Sequence, residues 1–260
     1  MNHLELFSGT HSFGKVSSKL GYNVVSLDRD LGAKCPFTDY ESKTHIMEDI
    51  MTWNYKIYKP NHFKLITASP VCLWWSNLRQ CWIGRKCPKI HPTEIITKEI
   101  LENDIEKFGK PMVDKVFEII DYFNPQYYII ENPATGQMVN YINDLIPFYD
   151  IDYCKYSNWG YKKKTRFWTN IEGFTPKLCQ NDCENMMTVP TIKGDKHPRG
   201  ELIIGETRTL HQAPIGKNMT KHKKGFGGSG QFCVGGGNYR LERYRIPEKL
   251  IMELLPQNSA

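Results

Sequence analysis

Cys72 and Glu131 are the two residues of this 260-residue chain whose chemistry would combine most usefully. Each follows a short apolar run that ends abruptly. Phe63 to Ala68 runs into Ser69-Pro70-Val71-Cys72, and Gln126-Tyr127-Tyr128-Ile129-Ile130 runs into Glu131-Asn132-Pro133. Runs of this length read as buried strands. If both are parallel members of an open α/β sheet, their ends share the carboxyl edge, where such sheets place their ligands. A thiol and a carboxyl on one rim make a covalent nucleophile with a proton donor. Cys72 alone reads better as a small buried hydrophobe. The pair carries the argument.

The elements that must position this pair begin at the N-terminus. Leu4-Glu5-Leu6-Phe7 is a strand, Ser8-Gly9-Thr10 a turn, and His11 to Leu20 a helix closed by Gly21. A second strand, Asn23 to Leu27, ends at Asp28. Strand, glycine turn, helix, strand and acid form the nucleotide-cofactor half of a doubly wound sheet. Gly9 lets a ligand approach the backbone, and Asp28 could accept both hydroxyls of a ribose. There is no G-x-G-x-x-G, so the pattern by itself leaves the cofactor open, and a βαβ unit without ligand fits as well. Glu48-Asp49-Ile50 closes a third strand, where a carboxylate could meet an adenine amino group.

Residues 93–123 read as helical up to Asn124-Pro125, and Asp150 to Cys154 as a further strand. A last helix follows Tyr244-Arg245-Ile246-Pro247 and runs to about Leu255. From 171 to 238 periodicity is lost among prolines, a basic run (Lys217 to Lys224) and glycines 225–237. The fold class is therefore α/β, a doubly wound and mostly parallel sheet. Residues 1–170 plus 239–260 form the core, and 171–238 form a small irregular lobe.

Charge is uneven. Residues 1–150 carry 16 Lys and Arg against 18 Asp and Glu, whereas residues 151–260 carry 18 against 10. The basic second part suits a polyanionic partner. Trp74, Trp75 and Trp82 interleave with Arg79, Arg85 and Lys86 in a long loop, a composition suited to nucleic-acid contact. No stretch approaches the roughly 18 apolar residues that span a bilayer, and no signal peptide is visible. Eight scattered cysteines read as reduced thiols, so the expected protein is soluble, intracellular and monomeric.

In order and spacing these segments resemble the DNA (cytosine-5) methyltransferases over most of the chain outside 171–238. Leu4-Glu5-Leu6-Phe7-Ser8-Gly9 is similar to that family's S-adenosylmethionine-binding motif, Asp28 to its ribose-binding acid, and Asp49-Ile50 to its adenine-contacting pair. Ser69-Pro70-Val71-Cys72 through Ser76 resembles the Pro-Cys nucleophile motif, with Val71 where proline is usual. Glu131-Asn132-Pro133 resembles Glu-Asn-Val. Lys162-x-Lys164-x-Arg166 stands in the Gln-x-Arg-x-Arg segment, and Arg245-Ile246-Pro247 is all that remains of the closing motif.

The resemblance implies a class I S-adenosylmethionine-dependent core acting on cytosine in double-stranded DNA by base flipping. Cys72 would be the nucleophile and Glu131 the proton donor to ring N3. Asn132 would fix the glutamate and the neighbouring loop, and Arg166 would hold the base carbonyl. Glu5, Phe7, Ser8, Gly9, Asp28, Asp49, Ile50 and Pro70 would line the cofactor site. Ser76, Arg79, Lys162, Lys164, Lys221, Lys223 and Lys224 are the candidates for DNA contact, and 171–238 would be the small target-recognition lobe. The same chemistry on RNA, and a DNA-binding relic without turnover, are the rival readings. Cys179-x-x-x-Cys183 with His197 has spacing allowed for zinc. Only His211 and Cys233 offer themselves as a fourth ligand, so free cysteines and no metal are expected there.

Overall fold

The structure is a computed structural model that describes residues 1–87, 89–142, 146–158, 162–190, 207–211, 241 and 244–256. The first half contains β1 (Asn2–Leu6), α1 (Ser12–Lys19), β2 (Asn23–Leu27), β3 (Thr44–Ile46) and β4 (Leu65–Ala68). Then come β5 (Lys86–Cys87), β6 (His91–Ile95), α2 (Lys98–Asp104) and α3 (Lys110–Phe123). The second half adds β7 (Tyr127–Pro133), α4 (Met138–Ile142), β8 (Phe148–Asp152) and β9 (Lys164–Thr169). It closes with β10 (Met186–Pro190), β11 (Thr207–His211) and α5 (Glu248–Leu254).

Seven strands form one sheet in the order β3-β2-β1-β4-β7-β9-β8. The pairs from β3 to β7 are parallel, and β9 runs antiparallel between β7 and β8. Successive side chains of a strand face opposite sides of a sheet, and both faces here are covered. Leu4, Leu6, Ile66, Ile130 and Trp168 pack with Val113, Val116 and Ile120 of α3. Leu65, Ile129, Ile151 and Phe167 pack with Phe13 and Val16 of α1 and Leu250 and Ile251 of α5. The near-continuous apolar sequence of β4 and β7 follows from this double covering.

Two elements depart from the sequence reading. Residues 91–95 form a strand, and the helix starts only at Lys98, where the Thr97 hydroxyl accepts the Ile100 N–H at 3.2 Å. A capping threonine supplies one of the acceptors that a helix start needs, and it decides the boundary. Residues 171–185 are not part of a separate lobe. Ile171 and Cys179 are buried, and the Asp152 N–H donates to the Lys177 carbonyl at 3.2 Å, so this stretch lies along the outer edge of β8. Beyond it, β10 and β11 form a separate two-stranded antiparallel ribbon.

Candidate active site

β4 and β7 are adjacent and parallel, with Ala68 opposite Ile130, so Ser69–Cys72 leave the sheet beside the last residues of β7, Glu131–Pro133, which still pair with β9. One hydrogen bond ties them together. The buried Asn132 amide donates from Nδ2 to the Pro70 carbonyl at 2.8 Å. The far side of the loop is held by Trp75, which is buried, stacked on Tyr141, and donates its N–H to the Cys72 carbonyl at 3.2 Å. Gly109 makes that burial feasible. A Cβ there would stand 3.0 Å from the Trp75 ring, too close for comfort.

Glu131 is buried and faces the α1/α5 side of the sheet, like Ile129 and Phe167. Its Oε1 accepts the Tyr153 hydroxyl at 3.2 Å and lies 3.5 Å from Lys163 Nζ. The Lys163 ammonium also sits 4.9 Å from the centre of the Tyr153 ring. Cys72 feels both neighbours. Burial pushes its thiol pKa up, the Lys163 charge pulls it down, and Glu131 pushes it up again, with a net rise. The resting residue is a thiol, and Lys163 is the group that favours its ionisation.

The cofactor edge lies beside this rim. The β1–α1 turn holds three residues in the left-handed region, Phe7 (φ 55°), Gly9 (φ 48°) and His11 (φ 55°). Two of them lack glycine's freedom, which costs about 1–2 kcal/mol each and must be over-determined by the surroundings. Glu5 supplies much of that. Its buried carboxylate accepts the Gly14 N–H at 2.8 Å and the Ser26 hydroxyl at 3.2 Å, and pairs with His11 at 3.4 Å. Burial alone would lower the His11 pKa, but Glu5, with the Gly32 carbonyl and Asp28, outweighs it and raises it. Glu5 and the core residue Ile50 therefore shape the site from within rather than line it.

Asp28, at the end of β2, accepts the Gly9 N–H at 2.9 Å and the N–H groups of Asp30 and Leu31. Asp49 is half-buried and paired with Arg29 at 3.2 Å. The buried Ser8 hydroxyl has no partner among the described residues. An unpaired hydroxyl, a glycine with an open backbone and a carboxylate on the next strand fit a nucleoside-bearing cofactor at this turn. A cavity of about 400 Å³ opens beside it, lined by Thr10, Ser12, Asn158, Arg245, Ile246 and Pro247.

No protein-family model matches the sequence. A protein of Frog virus 3 (isolate Goorha), named "Probable DNA (cytosine-5)-methyltransferase", is 36% identical over 259 residues, covering 98% of this chain and 99% of that one. The chain belongs to the DNA (cytosine-5)-methyltransferase family. Solved structures similar to it include the S. pombe Dnmt2 methyltransferase, at 15% identity and a TM-score of 0.38 over 68% of this chain. The Entamoeba histolytica methyltransferase EhMeth matches at 13% identity and a TM-score of 0.45 over 69%. The chain spans about half the length of these two structures, 51% and 55%.

The methyltransferase departs from its sequence reading in the cationic segment. Arg166 faces the α3 side, away from Glu131, where Nε donates to Asp150 Oδ1 at 2.7 Å and the guanidinium lies 3.5 Å from the Phe148 ring centre. Lys164 pairs with the same Asp150 at 3.3 Å. Lys162 donates to the Cys179 carbonyl at 2.8 Å and lies 3.6 Å from Asp152. All three side chains thus serve internal contacts with β8 and its edge. The cation at the rim is Lys163, the member of the cluster that the i, i+2 pattern skipped.

Arg79 is corrected likewise. It is buried, bonded to Asp104 and stacked 5.3 Å from the Trp74 ring, so it braces the loop instead of meeting phosphate. Ser76 caps the 3₁₀ turn Asn77–Trp82, accepting the Leu78 N–H at 3.3 Å. Tyr153 is a further site residue that sequence did not single out; its place right after β8, on the rim, was the available signal. Lys221, Lys223, Lys224, His197 and Cys233 lie outside the described residues, as does the His211 side chain. Among the described residues no helix is long and apolar enough to cross a membrane.

Proposed function

We propose that this methyltransferase uses Cys72 as a covalent nucleophile on cytosine flipped out of duplex DNA, with Glu131 as the proton donor. The observation that carries the reading is the rim itself: Cys72 under the combined influence of Lys163 and Glu131, on a loop clamped by Asn132.

Attack of the Cys72 thiolate on carbon 6 forms a C–S bond and pushes an electron pair through the ring towards N3. Glu131 gives N3 a proton as that charge develops, which leaves carbon 5 an enamine carbon able to take an electrophile. S-adenosylmethionine, when bound, supplies an electrophilic methyl group. Loss of the carbon-5 proton to solvent water then re-forms the C5–C6 double bond and expels Cys72 as thiolate, and N3 returns its proton to Glu131. Lys163 favours the thiolate before attack and again on its departure. Phe7, Ser8, Gly9, Asp28 and Asp49 are the residues proposed to hold the cofactor, with Pro70 closing the side towards Cys72.

A base inside a duplex is out of reach, so it must leave the stack at a cost of about a few kcal/mol. The loop that carries Cys72 exposes Leu78, Trp82 and Ile83 next to Arg85 and Lys86. Apolar side chains flanked by cations suit the gap and phosphates left by a flipped nucleotide. We assign the basic run 217–224 to backbone contacts on the strength of its charge alone.

The test is covalent trapping on a duplex containing 5-fluorocytosine with S-adenosylmethionine present, because carbon 5 then carries no removable proton. A denaturing-gel adduct is expected for the wild type, none for Cys72→Ser, and a strongly slowed one for Glu131→Gln. An adduct that survives in Cys72→Ser would overturn the nucleophile. An adduct on tRNA but none on any duplex would overturn the DNA substrate.

A further inference from the structure

We propose that Cys154, Cys179 and Cys183 form a zinc site that fastens residues 171–185, a strap along the outer edge of β8, to the edge of the active site. The three sulfurs lie within 4.8 Å of one another. Tetrahedral zinc with bonds of about 2.3 Å sets its sulfurs about 3.8 Å apart, so a small inward rotation of the side chains closes the site. The three thiols come from two stretches that sequence alone does not connect: the turn Tyr153–Lys155 after β8 and the strap.

The local backbone is arranged for sulfur. Asn181 adopts φ 66°, and the turn it makes directs the N–H groups of Asn181 and Asp182 at the Cys179 sulfur. Amide N–H groups aimed at one sulfur stabilise it as a thiolate ligand, whereas a cysteine serving only as a small hydrophobe needs none. Lys155 Nζ, held by Asp182 at 2.8 Å, places a cation beside the cluster and offsets the charge of three thiolates. Asn185 closes the arrangement by donating to the carbonyls of Cys154 at 2.8 Å and Ser157 at 2.7 Å.

Three thiolates select a soft ion, and zinc over calcium or magnesium. Each thiol loses its proton to solvent as its bond to the metal forms. A fourth donor comes from outside the trio. The register of the ribbon sets the backbone of His211 opposite Met186, three residues past Cys183. The ion would stand one residue from Tyr153, whose hydroxyl holds Glu131. It would also lie beside the Cys179 N–H that donates to Asp152 at 2.8 Å. It thereby links the polar contacts of the strap to the rim.

The experiment uses the full chain, expressed with zinc and purified without chelator. Elemental analysis is expected to give about one zinc per chain. Replacement by cobalt is expected to give sulfur-to-cobalt charge-transfer absorption and the visible bands of a tetrahedral site. Cys154→Ser and Cys183→Ser should each lose most of the metal, and Cys81→Ser, at an exposed thiol, should keep it. Cys183 is only half-buried, so its variant remains foldable, as circular dichroism will verify. Folded wild-type protein with neither bound zinc nor a charge-transfer band overturns the proposal. Full zinc content in both serine variants overturns it, as does a disulfide within the trio in metal-free protein.

Discussion

The Asn132 clamp gives the sharpest test of how the rim is built. Asn132 is 1% exposed, and among the described residues its side chain makes one hydrogen bond, to the Pro70 carbonyl two residues before the nucleophile. Asn132→Ala strands that carbonyl in a buried setting, at a cost of about 1–3 kcal/mol. Part of that is returned, because the Asn132 Oδ1 has no partner among the described residues and disappears with the amide. A net loss of about 1–2 kcal/mol in urea unfolding is expected. The kinetic effect is larger, because a nucleophile displaced by about 1 Å slows attack on the order of 100-fold. Asn132→Asp separates the clamp from simple bulk. An ionised aspartate places oxygen against the Pro70 oxygen, so adduct formation at neutral pH falls below that of the alanine variant. Lowering the pH protonates the aspartate, which then donates to Pro70 and recovers rate relative to wild type. Stopped-time trapping on the 5-fluorocytosine duplex measures both. An aspartate variant faster than alanine at neutral pH, or an alanine variant within about twofold of wild type, would refute the clamp.

Lys163→Met removes the cation that opposes burial at Cys72, so its thiol pKa rises further; the pH–rate curve for trapping should move to higher pH, and Lys163→Arg should restore part of it. An unmoved curve would remove Lys163 from the site. Arg79→Ala leaves buried Asp104 with His91 alone, at 2.9 Å, and should cost about 3 kcal/mol in stability while the salt slope of duplex binding stays unchanged. A slope reduced by about one unit would instead make Arg79 a phosphate contact. His3 is buried between Ser17 and Thr67, and burial, partly opposed by Glu5, lowers its pKa from 6.5 to about 4. Below 6.5 the unfolded chain takes up a proton that the folded chain refuses until about 4, so stability falls across that window by up to about 3 kcal/mol. Urea unfolding should show a smaller loss across the window in His3→Gln; an equal loss would exonerate His3.

What was legible in the chain was whatever depends on local chemistry. Apolar runs cut off by Ser-Pro and Glu-Asn-Pro marked two strand ends, and the Gly9 turn with Asp28 marked the first crossover. The double covering of β4 and β7 followed from their lack of polar alternation. What was missed depends on parity or on distant partners. Lys163 and Arg166 differ by three positions, so they face opposite sides of the sheet, and only the start of β9 tells which faces Glu131. Arg79 reads as a phosphate ligand until Asp104, on α2, turns out to be beneath it. Cys154 joins Cys179 and Cys183 only because the strap returns along β8.

The antiparallel course of β9 also decides where the chain leaves the core and where it returns. Because β9 starts on the rim, the chain finishes the sheet at the opposite edge, and the strap carries it back along β8. It reaches Asn185 beside Ser157, and the chain is picked up again at Ile246, whose N–H donates to Ser12 at 3.0 Å. Ser157 and Ile246 line one cavity, so the stretch between strap and last helix leaves and re-enters at neighbouring points. Closing a loop between fixed, nearby ends costs only about 0.6 kcal/mol per doubling of its length. The length of the chain between the strap and α5 can therefore change at a small entropic cost while the seven-stranded scaffold keeps its register.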